Sequence, residues 1–211
     1  MALLKVVKRY APSRVLSFDL VHVFKAMQLM QNNGHVSRAS LCKNLALGEG
    51  VIKTLVKHLK MQDMIETSNG GTTMTDKGRA ISAELIACIP FETTIPKCSV
   101  ALGRFNHAVL LKELGFTVRS GLEQRDAAIK VGAIGASTLL FKEDKFLMPN
   151  GSYDTLKSEP EICALLIKKL KPVDGDIVII GSSENDKKTA EFAAKNAALL
   201  TIMDHEKHQY R

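Results

Sequence analysis

The sequence has no tryptophan, only 5% aromatic residues, and six prolines that never occur in pairs. With 45% hydrophobic and 24% charged residues it still carries enough apolar mass for packed cores, which sets aside disorder and proline-rich linker classes. Long apolar runs are absent: none approaches the roughly 20 residues that a membrane-crossing helix needs. The opening MALLKVVKRY is too short and too charged for a secretory leader, so the expected place is the cytoplasm, with no membrane partner. The four cysteines, Cys42, Cys88, Cys98 and Cys163, lack CxxC spacing and are expected as free, mostly buried thiols. His205 and His208 in the terminal HEKH do not make a metal motif, and no metal or cofactor is expected. Repeats of 20 to 50 residues and low-complexity tracts are also missing, which excludes solenoids.

What is present is an uneven charge. Of the 29 basic and 22 acidic residues, 12 and 6 lie in residues 1–90, and 17 and 16 in the rest. Nearly all the excess of +7 therefore sits in the first part of the chain, the footprint expected for a polyanion partner. A length of 211 residues favours two compact units.

The first unit is organised by helical periodicity. From Ser17, the residues Leu20, Val23, Phe24, Met27 and Met30 follow the i, i+3, i+4, i+7 pattern, and Asn32-Asn33-Gly34 ends the helix. Ser37 is positioned to N-cap a short second helix that starts at Arg38 and carries Leu41 and Leu45. A tight Gly48-Glu49-Gly50 turn leads into a third helix with the apolar stripe Ile52, Leu55, Val56 and Leu59. Met64–Thr67 and Thr72–Met74 read as strands around Ser68-Asn69-Gly70-Gly71, where Asn-Gly signals a hairpin because both residues tolerate positive φ. Thr75-Asp76 opens a further helix through Ile81 and Leu85.

That order is a winged helix-turn-helix, whose second core helix must present cations to phosphates and polar groups to base edges. Lys53, Lys57 and Lys60 recur at i, i+4 and i+7 and are expected to grip phosphates, while Thr54 and His58, one position round, are expected to read bases. Ser37 and Arg38 at a helix start add a phosphate contact, and Asn69 marks the wing tip, which carries no Lys or Arg. The stretch RASLCKNLALGEGVIKTLVKHLKMQDMIET with TTMTDKGR resembles the winged-helix domains of prokaryotic transcriptional regulators. The resemblance implies major-groove contact from Lys53, Thr54, Lys57 and His58 of the helix at 50–60, with Asn69 near the minor groove; the expected partner is double-stranded DNA, read by a homodimer because a winged helix usually reads a two-fold site as a symmetric pair.

Residues 91–98, with two prolines just outside or within them, are expected to be a linker, giving units at 1–90 and 99–211. Beyond it, Val100–Leu102 and His107–Lys112 read as extended, and S-x-x-E at Ser120 reads as a capping box for a helix to Val131. Thr138–Phe141 and Phe146–Met148 flank a KEDK turn, Glu161–Leu170 is an amphipathic helix, and Asp176–Ile180 is a buried strand. Gly181-Ser182-Ser183 then turns into an Ala-rich helix from about Asp186 to Leu200. The expected class is α+β, a winged helix-turn-helix plus a C-terminal two-layer α/β sandwich. GRFNHAVLLK, SGLEQRDAAIKVGAIGASTLLF and GDIVIIGSS are similar to the C-terminal domain of a mostly archaeal two-domain winged-helix family of unknown function. That resemblance implies a small domain comparable to an insertion found in some tRNA synthetases and amidotransferases, without an activity.

The polar residues Arg104, Asn106, His107, Gln124, Arg125 and Asp126 are the candidates for a small-molecule effector site. Gly181-Ser182-Ser183 lacks GxGxxG and the P-loop lysine, so a plain turn outweighs a phosphate site. No spacing fixes a nucleophile and base, and the expectation is a DNA-binding transcriptional regulator rather than an enzyme. The alternatives are a small-molecule kinase or transferase with a fused winged helix, or a protein or RNA interaction module. A pocket joining Arg104, His107 and Asp126 would favour the enzyme.

Overall fold

A computed structural model describes residues 3–7 and 16–209, with the side chains of residues 3, 4 and 206–209 excepted. Residues 8–10 of the opening stretch, and the side chain of His208, lie outside the described residues. The chain divides into two compact units, Met1–Ile86 and Ala87–Arg211.

In the first unit a short α1 (Leu3–Val6) precedes α2 (Leu20–Asn33), α3 (Arg38–Leu45) and α4 (Glu49–Met61). An antiparallel hairpin of β1 (Ile65–Ser68) and β2 (Gly71–Met74) follows, and then α5 (Asp76–Cys88). The apolar stripes do what periodicity demands of them: Phe24 and Met27 of α2, Leu45 of α3, and Ile52 and Leu55 of α4 are fully buried. Gly34, at φ 70°, ends α2. The Ser37 hydroxyl accepts from the Ser40 amide at 3.1 Å and caps α3. The glycine turn at 48–50 is shorter than its composition suggests, because only Gly48 is outside the helix and Glu49 and Gly50 form the first turn of α4. The hairpin forms at the expected place, but its positive φ falls on Gly71, at 123°. In α5, Gly78 sits where a Cβ would lie 2.0 Å from the Met64 carbonyl oxygen, so glycine is what lets this helix reach the start of the hairpin.

The second unit is built on a five-stranded, wholly antiparallel sheet in the order β3-β4-β7-β5-β6. Its strands are β3 (Glu92–Ile95), β4 (Phe105–Leu111), β5 (Gly135–Lys142), β6 (Lys145–Leu147) and β7 (Ile177–Ser183). Three helices cover it: α6 (Leu122–Ile129), α7 (Pro160–Leu170) and α8 (Lys187–Gln209). The expected linker at 91–98 is instead the edge strand β3, paired from Glu92↔Val109 to Ile95↔Asn106. Two prolines hide it in the sequence, yet both flank the paired residues, as an edge strand allows.

Ala108, Leu110, Leu139, Phe141, Val178 and Ile180 face Leu166 and Leu170 of α7, while the opposite face of the sheet meets α6 and α8. The face that a two-layer arrangement would leave in solvent is thus covered, and every residue of the central β7 is buried. The Gly181-Ser182-Ser183 segment, expected as a turn, is the end of β7, paired with Phe105–His107 and Gly135–Ala136. A Cβ on Gly181 would come within 2.4 Å of the Ala190 carbonyl oxygen and 2.5 Å of the Ala194 nitrogen, so this glycine admits α8 onto the sheet. The capping box at Ser120 is also corrected: Gly121, at φ 78°, is the N-cap of α6, and no side-chain cap bond forms. The KEDK turn closes with Glu143 and Asp144 both in the left-handed region, φ 51° and 58°, as a type I′ hairpin requires. All four cysteines are free but half-buried rather than buried, and burial pushes the Cys98 and Cys163 thiols above their usual range.

Candidate nucleic-acid interface

Four basic residues of the first unit converge on one groove. Its volume is about 400 Å³, and its lining includes Arg38 from the start of α3, Lys53, Lys57 and Lys60 along α4, and Thr67 of β1. These positions follow from local rules. The cap at Ser37 fixes the direction of α3 and so of Arg38, and burial of Ile52, Leu55, Val56 and Leu59 turns the lysine face of α4 outward. An adjoining hollow of about 240 Å³ is lined by Ser37, Arg38 and Asn69, so Arg38 and Thr67 border both.

The ammonium groups are not equally committed. Lys60 donates to the Thr67 hydroxyl at 3.1 Å, which tethers it to the hairpin, and Lys53 lies 3.5 Å from Glu49, with both side chains well exposed. Neither Lys57 nor the Arg38 guanidinium has a hydrogen-bond or ion-pair partner among the described residues. An exposed pair such as Lys53–Glu49 contributes under about 1 kcal/mol and is readily exchanged for a phosphate. A single acidic side chain against four cations leaves the groove positive.

Two of the sequence candidates on α4 are placed differently from the lysines. Thr54 is exposed, and its hydroxyl donates to the Gly50 carbonyl at 3.0 Å. His58 is a correction: it is 5% exposed, with Nδ1 2.7 Å from the Val6 carbonyl oxygen and its ring edge-on to Phe18 at 5.6 Å. A side chain enclosed in this way holds α1 against α4 and does not reach a base edge.

In the second unit the six polar candidates do not converge. Arg104 stacks over Phe105, and Arg125 pairs with Asp126 at 3.3 Å on the outer face of α6. Asn106 is spent inside the fold, bonded to both the amide and the carbonyl of Gly103 and to the Ser182 hydroxyl. His107 bonds Glu92 at 2.8 Å. Arg104, His107 and Asp126 thus go to three separate partners. Gln124 lines a hollow of about 430 Å³ beside α8.

The group that sequence reasoning missed surrounds Lys195. This lysine of α8 is fully buried and contacts Glu92 at 2.8 Å and Glu191 at 2.5 Å, and His107 meets the same Glu92 oxygen, Oε2, at 2.8 Å. Burial by itself would raise the Glu92 carboxyl, but the hydrogen bond from His107 and the Lys195 ammonium outweigh it and hold the group at about 2, below its usual 4.5. The i, i+4 spacing of Glu191 and Lys195 was the available signal, but nothing local points to Glu92, 103 residues away. Among the described residues no group of three His, Cys, Asp or Glu side chains is arranged to hold a metal, and no helix is long and apolar enough to cross a membrane.

Residues 20–89 match the family described as the CggR N-terminal DNA binding domain, and residues 102–202 match a domain of unknown function, DUF4443. No curated protein matches the chain. Among solved structures, hypothetical protein PH0730 from Pyrococcus horikoshii OT3 is similar over 89% of this chain and 95% of its own, at 25% identity and a TM-score of 0.69. The chain is therefore similar to a CggR-like DNA-binding domain over residues 20–89 and to DUF4443 over residues 102–202, consistent with a two-domain DNA-binding regulator.

Proposed function

We propose that the protein is a sequence-specific transcriptional regulator that lays α4 in the DNA major groove, as the second core helix of a winged helix-turn-helix. The observation that carries this reading is the groove in which Arg38, Lys53, Lys57 and Lys60 converge beside the hairpin. The four cations are the phosphate grips, Thr54 on the outer face of α4 is the base-edge reader, and Ser37 and Asn69 border the backbone from the adjoining hollow. The hairpin tip has no cation and contributes little to affinity. The C-terminal unit pairs two copies so that a two-fold site is read by a symmetric dimer, and it binds a small effector. Exposed Leu122 and Ile129, one heptad apart on α6, with nearby Ile134, supply apolar surface for that pairing.

Fluorescence anisotropy on duplex DNA tests the reading. Four phosphate contacts per copy give a slope of log affinity against log salt near ~−3.6 per copy, about −7 for a dimer. Each alanine substitution at Lys53, Lys57 or Lys60 reduces the slope by about 0.9 per copy. No binding at low salt, or slopes unchanged in the variants, would overturn it. A monomer by light scattering at micromolar concentration removes the dimer.

A further inference from the structure

Two hollows adjoin at Phe116 in the C-terminal unit, of about 430 and 230 Å³. Phe116 lines both, is 75% exposed, and is held edge-on by His205 at 5.2 Å. The larger hollow carries the charged and amide side chains of Arg119, Glu123, Gln124 and Asp204 on its walls. The smaller sets the apolar side chains of Leu140 and Ile177 beside the polar Thr138 and Asn150.

Each hollow is lined by a residue with one buried polar atom that has no hydrogen-bond partner among the described residues, Gln124 Oε1 and Thr138 Oγ1. Gln124 is 6% exposed and Thr138 4%. The Gln124 amide nitrogen donates to the Thr201 hydroxyl at 2.8 Å, and that hydroxyl donates to the Ala197 carbonyl at 2.9 Å, so the orientation of the Gln124 carbonyl is fixed. A leucine at 124 would pack without this cost, and an unpaired acceptor held in place is what a donor-bearing ligand requires. The Arg119 guanidinium has no partner among the described residues, while its backbone carbonyl is anchored by Asn150.

We infer that the two hollows form one site for a free amino acid with an apolar side chain. The ammonium group donates to Gln124 Oε1 and meets the carboxylates of Asp204 and Glu123. The carboxylate group pairs with the planar Arg119 fork. The apolar side chain lies under Phe116 against Leu140 and Ile177, with Thr138 at its edge. Binding stands independently of the DNA reading; the role of the site as an effector site rests on it.

Isothermal titration calorimetry of the full chain with L-leucine, L-isoleucine, L-methionine and L-phenylalanine tests the site, with leucinamide and N-acetyl-leucine as controls. At least one amino acid is expected to bind at millimolar concentration or below, and each control, lacking one of the two charges, about tenfold or more weakly. Arg119→Ala, at an exposed position, and Gln124→Leu, a packing-compatible change, are each expected to weaken binding about tenfold or more with the circular dichroism unchanged. Failure of all four amino acids, or unaltered binding in both variants, overturns the site. Anisotropy with and without the bound amino acid then separates the two readings. A changed DNA affinity supports the effector role, binding with no change overturns that role alone, and absence of DNA binding overturns the regulator reading while the site stands.

Discussion

Replacing Lys195 with methionine removes a fully buried charge while keeping most of the side-chain volume. In the native protein the ammonium group lies between Glu92 of β3 and Glu191 of α8, so it ties the edge strand of the sheet to the helix covering it. Taking one partner from a buried pair typically costs about 3–5 kcal/mol, because the other charge is left without compensation. Here the side chains of Glu92 and Glu191 are 34% and 18% exposed and regain some hydration, which lowers the expected cost to about 2–4 kcal/mol. Changing Glu92 and Glu191 to glutamine in the same chain removes the stranded charges and is expected to restore about half of that loss. Because the chain has two units, a single unfolding midpoint does not report this pair cleanly. Hydrogen exchange by mass spectrometry reads it locally: 2–4 kcal/mol corresponds to about 30- to 1000-fold faster exchange in peptides from β3, β4 and α8, with α2–α4 unaffected. A change of less than about threefold in those peptides, or a stabilised variant, would refute the view that this pair holds the edge of the sheet.

Other substitutions and pH probe separate parts of the structure. Because the Glu92 carboxyl is held at about 2 against a usual 4.5, its contribution is complete above pH 4.5 and is lost as pH falls towards 2. After allowance for its one-third exposure this amounts to about 1–2 kcal/mol, and Glu92→Gln is expected to flatten that part of an acid-unfolding profile of the C-terminal unit. His58→Ala opens a cavity and strands the Val6 carbonyl, lowering stability by about 2–3 kcal/mol. Well below the unfolding temperature its DNA Kd should stay within about twofold; a tenfold weaker Kd at unchanged Tm would place His58 on the DNA. Ser37→Ala removes the cap of α3 at a cost of about 1 kcal/mol, read as faster exchange of the Ser40 amide. Gly78→Ala gains helix propensity but drives a methyl into the Met64 carbonyl, so chemical denaturation should show a net loss of about 2–3 kcal/mol.

How legible these features were in the sequence depends on the range of the interactions that fix them. Ser37, Gly34 and the stripe of α4 are local: a cap, a stop and a 3.6-residue period, each complete within a few residues. The lysine groove followed from the same period, since burying one side of α4 exposes the other. His58 went astray because its polar type suggested solvent, whereas its partner is a carbonyl 52 residues earlier. Gly181-Ser182-Ser183 has turn composition, but β7 continues through it because the missing side chain makes room for α8. Residues 91–98 have loop composition, and only pairing with β4 makes four of them a strand. In each of these cases the deciding contact is remote in sequence, where periodicity carries no information. Among the effector candidates, Gln124 lines a hollow while Asn106 and His107 are bonded within the fold, a distinction that residue type does not reveal.

Lysine footprinting by mass spectrometry, comparing the free full chain with its complex on duplex DNA, tests the central claim most directly. Lys53, Lys57 and Lys60 of α4 share one groove, whereas Lys168 and Lys169 lie near the end of α7 in the other unit. Selective protection of the three α4 lysines, with the α7 pair unchanged, is the expected result. Protection confined to the C-terminal lysines, or none on α4 in a saturated complex, would contradict it.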